Sequence, residues 1–207
     1  MLRILQRVIN FLAESDSFSR TLEYRRHGMS GWKQYIAPAA IVWLSPAACY
    51  AAQYLSVQEA QHQCFPNATE FQEANVVFTP EQITEIESQS GQKILTKAQQ
   101  IWKAVEGDKV LGFFVVDYVI GKHLVIDYSI AINLDKTVKQ VEILQYRESY
   151  GDEIRNPDWL RQFAGKTKDS SLELNDDIVN IGGATLSSRH VTEGIKRILA
   201  TINVVEK

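Results

Sequence analysis

Several residue types that would indicate a particular redox or metal chemistry are scarce in this chain of 207 residues. It has only two cysteines, Cys49 and Cys64, and they form no Cys-x-x-Cys pair. That excludes a zinc ribbon, a thioredoxin-like site and a c-type haem attachment. The four histidines are scattered without the spacing of metal ligands. We therefore expect no bound metal, and no haem, iron–sulfur or copper centre.

Strong charge of one sign is also missing. The chain has 22 Lys and Arg against 25 Asp and Glu, for a formal net charge of −3. No basic run lies beside a series of aromatic residues, so we expect no nucleic-acid partner. The hydrophobic content of 45% is enough for one globular domain with a sizeable core.

The N-terminal region contains a pattern typical of a targeting segment at residues 29–51. A short stretch with one positive charge, Lys33, precedes an apolar run over 36–48 and then Cys49-Tyr50-Ala51. The run is shorter than the roughly 20 apolar residues of a spanning helix. It predicts a signal peptide cleaved after Ala51, or an uncleaved signal anchor. Residues 1–28 are interpreted as a possible mis-annotated extension before a start at Met29.

Hydrophobic periodicity in the rest of the chain predicts an α+β fold, with an antiparallel sheet packed with helices. Residues 52–104 are predicted to be a helical lead-in, and 105–207 the main domain. Three strands joined by short turns predict an antiparallel meander. The predicted helices are 57–64, 80–90, 158–163 and 186–202, and the predicted strands are 110–120, 124–133 and 137–146.

The run from Gly182 to Ser188 has the chemistry of a phosphate-binding loop. Gly182 and Gly183 precede Ala184, Thr185, Leu186, Ser187 and Ser188, and a helical pattern follows at once. Glycines let a backbone approach an anion closely, and the N–H groups of a helix start can then hold it. The alternative is purely structural, with Thr185 acting as the helix cap.

This run resembles the pattern Asp-x-x-Ser/Thr-Gly-Ala-Thr of the FMN-binding domain family, which occurs in the G subunit of the Rnf complex and the C subunit of the sodium-pumping NADH:quinone reductase. Gly183, Ala184 and Thr185 match its core. The resemblance implies an FMN joined to Thr185 by a phosphoester bond, which a separate flavin transferase makes. Val179 and Gly182 depart from the pattern.

A second stretch is also similar to the family. Residues 147–154, with Glu148, Tyr150 and Gly151, are followed by a Trp-Leu-x-x-Phe helix at 159–163. The resemblance implies that Glu148, Tyr150 and Gly151 lie beside the flavin ring. Trp159, Leu160 and Phe163 are assigned to the core.

Two carboxylates, Asp117 and Asp127, fall on neighbouring predicted strands and are expected to face each other if the register allows it. Without a pocket they carry no catalytic prediction. His123 is expected at the surface, in the turn between these strands.

Together these features predict an exported flavoprotein that relays electrons through FMN, rather than a stand-alone enzyme. Its expected location is the periplasm or the extracytoplasmic face of a membrane, with a membrane or periplasmic redox partner. The alternative function is a non-redox binding module that kept the fold and lost the cofactor. The changes at Val179 and Gly182 favour that alternative, and the intact Gly-Ala-Thr core favours the first.

Overall fold

The computed structural model describes residues 52–206, and one antiparallel sheet runs through this part of the chain. The strands lie in the order β1 (Ala52–Gln53), β7 (Val138–Tyr146), β6 (Val125–Asn133), β5 (Lys109–Ile120), β4 (Ala98–Glu106) and β2 (Glu70–Glu73), and β3 (Val76–Val77) also pairs with β4. The segments predicted for 1–28 and 29–51 lie outside the described residues.

Helices cover this sheet, which confirms the α+β class. They are α1 (Val57–Cys64), α2 (Pro80–Ser90), α3 (Pro157–Leu160) and α4 (Thr185–Val205), with 3₁₀ turns at Asp152–Arg155 and Arg161–Phe163. Both α1 and α2 begin with a capping box, on Ser56 and Thr79 respectively. The predicted meander of β5, β6 and β7 is confirmed, with antiparallel pairing throughout.

The expectation of a helical lead-in over 52–104 is wrong in part. The segment contains α1 and α2, but it also supplies β1, β2, β3 and most of β4. β4 pairs with β5 along its length, so the sheet begins well before residue 105. The alternation in β4 is weak because Gln99, Gln100 and Lys103 interrupt it.

The sheet separates two parts of the core. On one face, Ile126, Tyr128, Ile130 and Ile132 pack with residues of α4. On the other face, Ala104, Phe114, Ala131 and Leu144 of the sheet pack with Ala60 and Cys64 of α1. The predicted apolar stripe of α4 is confirmed: it is buried at Val191, Ile195, Ile198, Leu199 and Ile202.

The longest helix is longer at both ends than predicted. It begins at Thr185 and ends at Val205, instead of covering 186–202. Its N-cap residue is Ala184, so the alternative in which Thr185 caps the helix is wrong. Within residues 52–206, no helix combines the length and apolar character needed to cross a bilayer.

The two carboxylates Asp117 and Asp127 do not face each other. Asp117 lies opposite Tyr128 and Asp127 opposite Tyr118. Directly opposite residues share a face and consecutive residues alternate, so the two carboxylates project from opposite faces. The Asp117 carboxylate instead accepts from Tyr128 Oη and Arg197 Nη2, both at 2.7 Å. This buried group joins α4 to the sheet.

Candidate functional site

The start of α4 leaves its first backbone N–H groups without a side-chain cap. Ala184 has no oxygen in its side chain to accept from them, and no acidic residue lies in the first turn. Gly183 precedes Ala184 with φ +87°, a conformation that favours glycine, and is exposed. The uncapped N–H groups and the positive end of the helix dipole both favour an anion at this position.

The second predicted motif, residues 147–154, contacts the start of α4 through Gly151. Its φ is +90°, and a Cβ added there would lie 2.8 Å from Tyr146 Oη and 3.0 Å from the Cβ of Ala184. Tyr146 Oη in turn donates to the carbonyl of Tyr150 and lies 3.3 Å from Ser187 Oγ. The glycine therefore allows the turn after β7 to pack directly on the start of α4.

Between these two segments lies an open cavity of about 640 Å³. That volume falls within the roughly 300–1,000 Å³ of small-molecule and cofactor sites. Its apolar contributors include Tyr150 and Leu186, which are 86% and 42% exposed. The cavity is lined by Lys122, His123, Glu148, Ser149, Tyr150, Gly183, Ala184, Thr185, Leu186 and Ser187.

Most of the predicted site residues meet in this cavity, but three do not line it. Gly182 is exposed in the preceding loop, and Gly151 lies behind the wall against Ala184. Ser188 is fully buried, and its hydroxyl donates to the Ala184 carbonyl at 3.0 Å. The hydroxyl of Ser188 is thus engaged by the helix backbone and does not face a ligand.

Glu148 lines the cavity and also holds the turn between β5 and β6. Its Oε1 accepts from the backbone N–H groups of His123 and Leu124. Gly121 leaves room for this approach, because a Cβ there would lie 3.0 Å from the same oxygen. Partial burial by itself would raise the pKa of Glu148, but the hydrogen bonds from His123 and Leu124 lower it.

The same turn brings two residues to the site that the sequence did not assign to it. Lys122 and His123 are exposed and line the cavity opposite the start of α4. They place a cationic side chain and an imidazole beside a helix terminus that already favours negative charge. The prediction that His123 lies at the surface is confirmed, but its position beside the cavity required the sheet register.

Thr185 also borders a second, smaller cavity of about 300 Å³ on its other side. This cavity is polar and contains charges of both signs, from Arg189, Lys196, Glu173 and Glu193. Lys196 Nζ donates to the Ser171 carbonyl at 2.9 Å. None of the residues of the 147–154 motif lines it, so the two motifs meet only in the larger cavity.

The fold and the larger cavity define an α+β domain with an open ligand site whose polar end suits a phosphate. Residues 121–200 match the family model of the FMN-binding domain. Over this segment the chain is similar to the FMN-binding domain family, and the matched residues contain both motifs, β6, β7 and most of α4. The donors at the start of α4 and the cavity volume fit such a cofactor.

Among solved structures, the chain is similar to NqrC of Shewanella oneidensis, with a TM-score of 0.43 and 17% sequence identity. The similarity covers 74% of this chain and 79% of that one. No curated protein matches the chain.

Proposed function

We propose that this protein is an electron-transfer flavoprotein whose FMN is attached to Thr185 by a phosphoester bond. One observation carries the proposal. Thr185, on the first turn of α4, lines the same cavity as Glu148 and Tyr150, which lie far from it in the sequence. The resemblance of both stretches to the FMN-binding domain family supports the same site.

Different residues of the cavity bind different parts of FMN. The uncapped N–H groups at the start of α4 hold the phosphate, helped by the helix dipole. Tyr150 and Leu186 offer apolar surface to the ring system. Lys122 supplies positive electrostatic potential, and His123 adds an imidazole beside it. FMN, when bound, supplies the electron-carrying chemistry, and these residues orient it and set its surroundings.

Attachment needs help from outside the chain. A threonine hydroxyl is a poor nucleophile without an adjacent base. Among the described residues, no carboxylate or imidazole is hydrogen-bonded to the Thr185 hydroxyl. The side chain that is hydrogen-bonded to it there is the amide of Asn180. A flavin transferase therefore makes the bond, and this enzyme is one partner of the protein.

We further propose that the protein is exported and works with a redox partner outside the cytoplasm. Residues 29–51 have the pattern of a signal peptide or signal anchor, which supports placement in the periplasm or on the extracytoplasmic face of the membrane. A covalent bond suits that location, since cofactor lost there is not easily replaced. The redox partner is then a membrane or periplasmic protein.

The test uses the full chain co-expressed with a flavin transferase. We expect a visible flavin spectrum, fluorescence that survives denaturation, and a mass increase of one FMN less water. Thr185→Val should abolish the mass increase. Ser188→Ala is the matched control on the same helix turn, and it should keep the label because the Ser188 hydroxyl faces the Ala184 carbonyl.

Two outcomes would contradict parts of the proposal. A flavin spectrum without the mass increase would remove the covalent bond and leave FMN binding. Wild-type protein with neither flavin nor added mass would favour the non-redox binding module instead.

A further inference from the structure

Asn180 is the side chain in contact with the Thr185 hydroxyl. Its Nδ2 donates to Thr185 Oγ1 at 3.2 Å, and this is the only side-chain hydrogen bond to that hydroxyl in residues 52–206. We propose that Asn180 is a positioning residue, which holds the Thr185 hydroxyl in the orientation needed for attachment of FMN. The inference rests on the function proposed above and deepens it.

The other atom of the same amide strengthens the argument. Asn180 Oδ1 is buried and has no hydrogen-bond partner among the described residues. Burying an unpaired polar atom is unfavourable, so such an atom in a folded protein calls for an explanation. Rotation of the amide by 180° exchanges its two ends. The oxygen then accepts the proton of the Thr185 hydroxyl, and the hydroxyl is restrained in either state.

The conformation of the preceding residue, Val179, explains why the side chain of Asn180 contacts Thr185. The resemblance expects an aspartate at Val179, but the Val179 side chain is 66% exposed. Its backbone is held on both sides: the N–H donates to Gln162 Oε1 and the carbonyl accepts from Trp159 Nε1, both at 2.8 Å. With residue 179 clamped in this way, the polar side chain that reaches Thr185 comes from residue 180.

The step that Asn180 prepares is a phosphoryl-group transfer from a flavin dinucleotide. The bond between Thr185 Oγ and the FMN phosphorus forms, and the phosphoanhydride bond of the dinucleotide breaks. The electron pair of that bond leaves with the nucleoside monophosphate, and the hydroxyl proton passes to the transferase or to solvent. A hydroxyl held in one rotamer raises the fraction of encounters with productive geometry.

The experiment measures the initial rate of attachment on the full chain, with purified flavin transferase and flavin dinucleotide, by intact mass. Asn180→Leu keeps the size and removes the polar contact, and we expect the rate to fall by about tenfold to a hundredfold. Asn180→Asp provides an acceptor for the hydroxyl proton and should restore the rate to within about threefold of wild type. Asn203→Leu, the same change near the far end of α4, is the control for the substitution itself.

The outcomes separate this inference from the proposed function. An unmodified wild-type chain contradicts the covalent bond to Thr185. Wild-type labelling with an unchanged rate for Asn180→Leu overturns only the role of Asn180. A slow Asn180→Leu that Asn180→Asp does not improve also overturns it, because the loss would then come from packing. Asn180→Ala replaces the leucine variant if thermal melting shows that the latter is unfolded.

Discussion

Gly151 packs directly on Ala184, with an added Cβ at Gly151 lying only 3.0 Å from the Cβ of Ala184. This contact joins the turn after β7 to the start of α4. It also turns two separate sequence motifs into the two walls of one cavity. Since Gly151 has φ +90°, both its backbone conformation and the lack of a side chain are required there.

We expect Gly151→Ala to destabilise the fold by about 2–3 kcal/mol, because it combines a strained φ with overlap against Tyr146 and Ala184. Gly165→Ala is the matched control. Gly165 has φ +78° but no atom within 4 Å of an added Cβ, so only the backbone strain of about 1 kcal/mol applies. Urea unfolding measures both variants, and equal losses would show that the contact with Ala184 is unimportant.

Replacing Lys122 and His123 in the β5–β6 turn should make the bound flavin harder to reduce. Reduced flavin carries more negative charge, which the Lys122 ammonium stabilises from the cavity wall, with the His123 imidazole as a polar neighbour. For the double variant Lys122→Gln/His123→Gln we expect a reduction potential lower by about 30 mV, or a tenfold change in a two-electron equilibrium. Spectroelectrochemical titration of flavin-loaded protein measures it. Lys109→Gln, at the opposite end of β5, should leave the potential unchanged, and a shift as large there would rule out a local effect.

The contribution of Glu148 to stability should depend on pH. Its folded-state pKa is lowered, so the stabilisation is present above the ordinary glutamate pKa of about 4.3 and is lost as pH falls through the folded-state value. Glu148→Gln removes this titration. The difference in urea midpoint between wild type and the variant should therefore shrink as the solution is acidified below about pH 4.5. A difference that stays constant with pH would mean that the carboxylate charge does not hold the turn.

The buried ion pair between α4 and the sheet should matter far more than the exposed one on the opposite face. Asp117→Ala leaves the buried Arg197 guanidinium unpaired, and we expect a loss of about 3–5 kcal/mol. Asp127→Ala breaks a pair with Arg147 in which both side chains are about 30% exposed. That loss should stay below about 1 kcal/mol. Chemical denaturation compares the two, and similar losses would contradict the assigned burial.

Local patterns in the sequence predicted the elements that build the site. The alternation along β6, the turn residues after Ile120 and Asn133, and the apolar stripe of α4 are set by neighbours within a few residues, so they can be read without a structure. β4 was missed because polar side chains interrupt its alternation. The resemblance at Gly183, Ala184 and Thr185 likewise depended on a short continuous stretch.

By itself, the sequence determined the class of fold, the meander, the long C-terminal helix and the family to which residues 121–200 match. Only the tertiary structure decided which side chains surround Thr185. Ser188, one turn after Thr185, is fully buried with its hydroxyl on the Ala184 carbonyl, because the packing of α4 on the sheet decides which side chains of its first turn face the core. Lys122 and His123 reach the cavity because pairing of β5, β6 and β7 brings distant residues to one end of the sheet. These contacts join segments that are distant in the sequence, and they depend on how the paired strands and α4 pack together, which a pattern within one segment does not specify.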